Sequence, residues 1–179
     1  AIGEDDWRQG WAFGFGGGNI ELAQSASGCP SGTTSITPVD GSTTTCEVSG
    51  TITSDLTLTE GNFYALSGAV FVGGDKENSA TLTVEPGVTV YGASGNDYLV
   101  ISRDSEINAN GTAENPITFT SRDHVVGGLE AGEAGQWGGM IVLGNGESTK
   151  CPQDGTSCSL QVEGAQEGAV FGGTDNTDS

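Results

Sequence analysis

Histidine and basic residues, which nucleophilic catalysis uses, are scarce in this chain of 179 residues. It has a single histidine, His124, and only five basic side chains beside 24 carboxylates. Nucleophilic catalysis needs a base within reach of the nucleophile and a third group that orients the base, and we find no such arrangement around His124. We expect His124 to be an exposed loop residue. The basic residues are Arg8, Lys76, Arg103, Arg122 and Lys150.

Two arginines stand beside aspartates at the ends of predicted strands. Arg103 precedes Asp104, and Arg122 precedes Asp123. We interpret both as salt bridges at exposed corners, and exposed ion pairs contribute little to stability. The sequence therefore predicts no catalytic residue.

The many carboxylates suit two other chemistries. A glycosidase pair could be drawn from several acids, but among so many some pair always fits, so the pattern has little specificity. Ca²⁺ takes six to eight oxygen ligands from carboxylates, amides and carbonyls, and it is the one cofactor that we predict. For each single cluster of these acids we favour a solvated corner over a calcium site. The glycosidase candidates are Asp123, Glu130, Glu133, Glu163 and Glu167, and the calcium candidates are Asp75, Glu77, Glu130, Glu133, Asp175 and Asp178.

Four cysteines lie in polar loops. They form no CxxC pair, and with one histidine in the chain a structural zinc site is not expected. Pairing between sequence neighbours predicts the disulfides Cys29–Cys46 and Cys151–Cys158. Two disulfides indicate an oxidising compartment, so we expect the protein to be secreted or periplasmic.

The composition excludes several classes of partner. A formal charge of −19 repels nucleic acid and anionic lipid. The chain contains no apolar run of the roughly 20 residues that cross a bilayer, so we predict no membrane-spanning segment. The opening Ala1–Gly3 suits the mature side of a removed signal peptide.

The secondary-structure elements that position these residues are predicted to be short strands. Five runs alternate apolar residues with threonine or serine, and glycine, proline, asparagine or aspartate bounds each one. Their close and regular spacing favours a coil of parallel strands over a set of hairpins. The predicted strands are Thr81–Glu85, Val88–Tyr91, Tyr98–Ser102, Glu106–Ala109 and Ile117–Ser121.

Four further segments have a strand pattern. Asn62–Gly73 predicts two strands broken at Ser67–Gly68. Met140–Leu143 is an unbroken apolar run, typical of a strand that is buried on both sides or bulged. Short strand-like runs at Leu160–Gly164 and Ala169–Gly173 precede a polar tail, and we expect the natural protein to continue beyond Ser179.

The first 46 residues differ from the rest and form a predicted N-terminal unit, with coils over 47–179. Within it Trp7, Trp11, Phe13 and Phe15 cluster, and the last three fall on one face of an extended strand. This segment either caps the first coil or docks onto a neighbouring subunit by strand addition. We predict that Trp7–Phe15 is the part of the chain that contacts a partner.

Three stretches together resemble secreted right-handed parallel β-helix proteins, which are pectate-lyase-like, and in particular the large secreted or outer-membrane β-helix proteins of marine Gram-negative bacteria. The resemblance covers roughly residues 50–173. It implies an all-β right-handed parallel solenoid, and its motif residues form corners and core. The stretches are Leu82–Gly92 (LTVEPGVTVYG), Ile107–Ser121 (INANGTAENPITFTS) and Gln136–Gly144 (QWGGMIVLG).

We therefore predict a secreted, non-enzymatic β-helix protein of the cell surface or extracellular space of a Gram-negative bacterium. It would act in adhesion, in self-assembly with other copies of itself, or as the partner of an outer-membrane protein. The alternative is a carbohydrate-active enzyme or a polysaccharide-binding module, with its groove near Arg103 and Arg122. A pectate-lyase-like enzyme would use an arginine or lysine base with Ca²⁺ against an acidic sugar.

Overall fold

The computed structural model describes residues 28–128, 130, 132–152, 154, 156 and 158–173. These residues form short strands and one single-turn helix, so the predicted all-β class is confirmed. No helix in the described ranges is both long and apolar enough to span a bilayer. The strands are β1 (Thr34–Ile36), β2 (Thr45–Ile52), β3 (Leu56–Leu58), β4 (Phe63–Val72), β5 (Thr81–Val84), β6 (Thr89–Gly92), β7 (Tyr98–Ile101), β8 (Glu106–Ala109), β9 (Thr118–Ser121), β10 (Gly139–Val142), β11 (Leu160–Gln161) and β12 (Val170–Phe171), and the helix is α1 (Arg122–Val125).

The chain runs repeatedly between two sheets, and each time it reaches a sheet it adds one or two strands to that sheet's edge. The first sheet has the order β1-β2-β4-β6-β9, with β7 between β4 and β10, and the second has the order β3-β5-β8. Within these two sheets every pair except β1–β2 is parallel, as predicted, while β11 and β12 form a separate antiparallel pair. We call the successive steps layers: β2 and β3, then β4 and β5, then β6 to β8, then β9 and β10.

Parallel pairing in register places equivalent residues of successive strands above one another. The rows of apolar side chains that result form the core. Val70 of β4 pairs with Leu99 of β7, and Leu99 pairs with Met140 of β10. Most members of such rows are buried in one cluster, which we call the interior core. Burying an aliphatic side chain stabilises the fold by about 1.5–3 kcal/mol, so each layer depends on the next one for its apolar contacts. Two parallel rows run Val72–Ile101–Val142 and Leu56–Leu82–Ile107.

The outward side of the first sheet is also apolar, and connecting segments cover it. Phe63, Ala65 and Tyr91 lie under Ile36, Val39 and Val125, which come from the N-terminal loop and from α1. The neighbouring patch around Phe71 and Val100 is covered by the segment 143–173. We call that segment the outer segment. From this segment, the side chains that pack on the patch are Leu143, Val162, Ala165, Ala169 and Phe171.

The prediction of two strands in Asn62–Gly73 is wrong, because β4 runs without a break through Ser67 and Gly68. Gly68 adopts a φ of 69°, a left-handed conformation that glycine allows, and its N–H donates to Asp97 Oδ1 at 2.8 Å. The bend lets one strand serve two partners. Its first half pairs with β6 and its second half with β7.

The prediction for Met140–Leu143 is wrong in both of its forms. β10 pairs with β7 without a register shift, so it carries no bulge. It is not buried on both sides either: Ile141 faces the outer segment, whereas Met140 and Val142 are 37% and 66% exposed. The run of apolar residues reflects contacts on one face and an uncovered face opposite.

Both predicted disulfides form, with Cα atoms 5.5 Å apart in Cys29–Cys46 and 5.7 Å apart in Cys151–Cys158. The first joins the loop 28–44, which we call the cap, to β2 in the first layer. Cys29 packs against the interior core, and β1 within the cap pairs with β2.

Asp40 stabilises the turn at residues 40–43 of the cap. Asp40 Oδ1 accepts hydrogen bonds from the N–H groups of Ser42 and Thr43 at 2.9 and 2.7 Å, and Oδ2 accepts from the Thr43 hydroxyl at 2.6 Å. Partial burial of Asp40 raises its pKa, but these hydrogen bonds outweigh it and lower the pKa to about 2.

The cap should therefore lose stability in acid over a defined range. The Asp40 carboxylate favours the folded state above its unfolded pKa of about 3.9, and this contribution fades as the pH falls towards 2. We expect Asp40→Asn to lower the melting temperature at pH values above about 4 and to match the wild type near pH 2. Because Asp40 is exposed, the loss should stay below about 1 kcal/mol.

Circular dichroism melts across this pH range measure the difference. Thr43→Ala removes one hydroxyl donor and should show a smaller loss over the same range. A difference between the wild type and Asp40→Asn that persists unchanged at pH 2 would contradict the assignment.

Candidate functional site

Arg103 is the most constrained basic residue in the described chain. Its side chain is 3% exposed, and its Nε and one terminal nitrogen donate to Asp75 Oδ1 and Oδ2, both at 2.6 Å. The guanidinium also donates to Ser159 Oγ at 3.0 Å and to the carbonyl oxygen of Gly172. The two Asp75 oxygens hold Arg103 in a bidentate pair, and its other donors reach the outer segment.

A tight turn after β7 directs Arg103 inward. The N–H of Ser105 donates to the Ser102 carbonyl, and Asp104 takes a left-handed φ of 64°. The Asp104 carboxylate accepts from Asn145 Nδ2 at 2.6 Å. Hydrogen bonding to Asp75 outweighs the effect of burial and raises the pKa of Arg103 above its usual value.

The prediction of an exposed pair between Arg103 and Asp104 is therefore wrong, because the partner of Arg103 is Asp75 and the Arg103 side chain is buried, while that of Asp75 is 31% exposed. The charge of Arg103 is paired with one carboxylate, and its other donors bind the outer segment. Arg103 is therefore positioned as a clamp that holds the outer segment to the turn, and not as a general base. Arg122 does behave as predicted. It lies 4.0 Å from Asp123, and both side chains are about half exposed.

His124 lies in α1 and is half-buried, which differs from the predicted exposed loop. The helix begins after Ser121, whose Oγ accepts from the His124 N–H at 3.3 Å. The ring nitrogen Nδ1 is 2.7 Å from Thr120 Oγ1. Among the residues that the structure describes, no hydrogen bond joins a carboxylate to this pair.

The structure separates the calcium candidates. Asp75 is paired with Arg103, and Glu77 is exposed in the same corner. Glu130 and Glu133 share one loop, where the Glu130 N–H donates to Glu133 Oε2 at 3.4 Å. No group of three or more metal-ligating side chains comes together in the described ranges. Asp175 and Asp178 lie outside those ranges, so calcium binding stays a prediction.

Of the glycosidase candidates, Glu130 and Glu133 share the loop described above, and Glu163 lies in a cleft. Glu163 lines a shallow cleft of about 190 Å³ beside Tyr98 and Ile141. The other lining residues are Gly95, Gly138, Gly164 and Ala165, so Glu163 contributes the one carboxylate of this lining. A pair of carboxylates on opposite sides of a sugar is what glycosidases use, and this cleft presents a single one.

The feature that the sequence did not predict is an uncovered end of the interior core. Met140 and Val142 continue the rows of Leu99 and Ile101, which are 1% exposed, yet they are themselves exposed. Four more side chains at the last positions of the core are only partly buried. We call the six together the open end: Ile107, Ile117, Phe119, Trp137, Met140 and Val142.

Backbone groups are open at the same place. Among the described strands, β8, β9 and β10 each pair on one side only. An edge strand with free N–H and C=O groups beside exposed apolar side chains is a site where another strand can add. The unbroken apolar run of β10 gave no such signal, because only the register with β7 shows that Met140 and Val142 continue the rows of Leu99 and Ile101.

Trp7, Trp11, Phe13 and Phe15, predicted to contact a partner, lie outside the described residues. The structure therefore neither assigns them to the cap nor removes them from it.

Comparison with known proteins identifies the family. Residues 50–179 match the model of the pectate-lyase-like β-helix domain, which is well over half of the chain. The chain belongs to that family. Nothing matches among curated proteins or among solved structures.

Removing Arg103 should lower the free energy of unfolding far more than removing Arg122. We expect Arg103→Ala to lower the free energy of unfolding by about 2 kcal/mol or more, because it removes the hydrogen bonds of a buried guanidinium to Asp75, Ser159 and Gly172 and so frees the outer segment. Arg122→Ala, the control, should change it by less than about 1 kcal/mol, since its pair is exposed. Urea denaturation measures both, and equal effects would contradict the role of Arg103 as a clamp.

Proposed function

We propose that this protein is a secreted, non-enzymatic β-helix protein that works by contact, through self-assembly at a cell surface or in the extracellular space. The observation that carries the proposal is the exposure of Met140 and Val142 at the end of otherwise buried rows. Soluble proteins rarely leave the side chains of their core exposed unless another surface covers them.

The proposal includes a right-handed coil. Connections between parallel strands of one sheet are right-handed in nearly all proteins, because the strand twist favours that direction. The alternation of the chain between two sheets with parallel pairing suits such a coil, and so does the family. In a coil each layer offers its flat face to the next layer, so an assembly of copies would extend the same contact.

The described residues favour a role without catalysis. The most buried basic side chain, Arg103, is paired with Asp75 and donates to the outer segment. The charge of −19 also works against acidic polysaccharides, which such a surface repels unless cations bridge the two.

An extracellular location is part of the proposal. Two disulfides support it, since such bonds persist in oxidising compartments. The outer surface of a Gram-negative bacterium is the setting that the sequence resemblance suggests. Adhesion to a surface and partnership with an outer-membrane protein would use the same open end.

A carbohydrate-active enzyme or a polysaccharide-binding module is the second candidate, and the family supports it. Release of unsaturated or reducing ends from polygalacturonate in the presence of Ca²⁺, lost in Arg122→Ala, would establish an enzyme. Loss in Arg103→Ala carries less weight, because that variant also disturbs the fold. Ca²⁺ is proposed as a structural ligand near Glu130 and Glu133, and a fall in melting temperature on adding EDTA would support it.

Self-association should depend on the open end. We expect Val142→Asp to weaken association by roughly tenfold or more, because a charge would replace an apolar contact. Since Val142 is 66% exposed, the fold should tolerate the change, which an unaltered melting temperature would verify. Sedimentation velocity over a range of protein concentrations measures the association.

Val126→Asp is the matched control. Val126 is another exposed valine, 42% accessible, and it follows α1 on the outward side of the first sheet. It should leave association unchanged. A wild-type protein that stays monomeric at all concentrations, or equal losses in both variants, would contradict the proposal.

A further inference from the structure

The proposed self-assembly does not use the cleft on the outward side of the first sheet. This cleft lies where Tyr98 of β7 and Ile141 of β10 meet the turn at residues 162–165 of the outer segment. Met140 and Val142 of the open end alternate with Ile141 along β10, so they lie on the other face of the sheet. The cleft is therefore a separate surface.

The aromatic wall of the cleft is held in place from two directions. The N–H of Gln166 donates to the Tyr98 hydroxyl oxygen at 2.7 Å. On another side the backbone of Gly138 lies against the tyrosine. A side chain at Gly138 would place its Cβ 2.7 Å from the Gly95 carbonyl oxygen and 2.8 Å from the Tyr98 Cβ. Tyr98 is thus positioned before any ligand arrives, and pre-organised groups lose less freedom on binding.

The side chains that line the cleft suit an organic cation. Tyr98 is aromatic, Ile141 is aliphatic, and Glu163 supplies one carboxylate, while glycine and alanine form the rest of the lining. Aromatic rings and carboxylates both attract cations. Glu163 is exposed, and no hydrogen bond or ion pair within the described ranges occupies its carboxylate. The net charge of −19 further favours a cation over an acidic sugar.

The size and the single carboxylate narrow the class of cation. Sites for drug-sized ligands measure about 300–1,000 Å³, so a cleft of about 190 Å³ takes a group the size of one side chain. Ca²⁺ requires six to eight oxygen ligands, and the lining offers one carboxylate. A guanidinium is planar, stacks on aromatic rings, pairs with one carboxylate through two hydrogen bonds, and is more weakly hydrated than an ammonium.

We propose that this cleft binds a guanidinium group, with Glu163 as its carboxylate partner and Tyr98 as its aromatic wall. The group can come from a free small molecule or from an arginine side chain of another protein. This inference does not rest on the proposed self-assembly, because neither residue belongs to the open end.

Titration of isotope-labelled protein with methylguanidinium, followed by amide NMR shifts, tests the site. At about 0.15 M ionic strength diffuse attraction is largely screened. We expect saturable shifts at Tyr98, Ile141 and Glu163 with a Kd on the order of 1 mM, since both contacts are partly exposed. Glu163→Gln should weaken binding about fivefold or more, because it removes the charge of the acceptor. Glu167→Gln is the matched control and should leave binding unchanged, since Glu167 is an exposed acid of the same segment outside the lining.

Three outcomes would overturn the inference. They are the lack of a saturable shift at the cleft, equal losses in the two glutamate variants, and binding of methylammonium as tight as that of methylguanidinium. A second titration, with an arginine peptide blocked at both ends, identifies the source. Binding at least as tight as that of methylguanidinium assigns the site to a protein side chain, and failure of the peptide alone assigns it to a small molecule. Val142→Asp should leave both titrations unchanged, so this site and the proposed self-assembly stand or fail separately.

Discussion

Parallel pairing in register is the constraint on which the rest of this structure depends. It places each apolar side chain directly above its counterpart in the previous layer, so that Val70, Leu99 and Met140 form one continuous row. A row buries its members only while another layer or a cap follows. Both the stability of the middle layers and the exposure of the last one come from this single rule. The rows therefore begin at a covered end, the first layer, and stop at an uncovered one, the last layer.

The acidic residues gain a structural explanation from the same layers. Asp97 accepts the N–H of Gly68, Asp55 accepts the N–H of Thr81, and Glu85 accepts the N–H of Glu60, each at 2.8–2.9 Å and each from a neighbouring layer. Corners expose backbone donors that the ladders do not use, and carboxylates satisfy them. These three acids thus have a structural role at the corners, and a high count of acids is a weak indicator of a metal site.

Strand positions were predictable where turn chemistry and alternation agree. The predicted strands at Thr81, Tyr98 and Glu106 begin where the observed ones do, and Pro86–Gly87 forms the expected turn, in which the Val88 N–H donates to the Glu85 carbonyl. Both disulfides were predicted correctly by pairing each cysteine with its nearest neighbour in the sequence. These features depend on local residues, so the sequence contains the necessary information.

Features set by distant residues were not predictable. Gly68 looks like a strand break, but the bend it allows makes sense only beside Asp97. Arg103 stands next to Asp104 in sequence, yet the turn carries its side chain to Asp75, 28 residues earlier. The open end follows from the register of β10 and from the path of the outer segment, and neither is visible in the run of apolar residues.

Native-state amide hydrogen exchange on dilute, monomeric protein tests the central claim most directly. If each layer is protected by the one that follows, the amides that donate within the ladders should exchange slowly in β4 and β7 and much faster in β10, whose interior side is uncovered. Protection in β10 equal to that in β4 under these conditions would show that the last layer is covered within one chain, and would contradict the account.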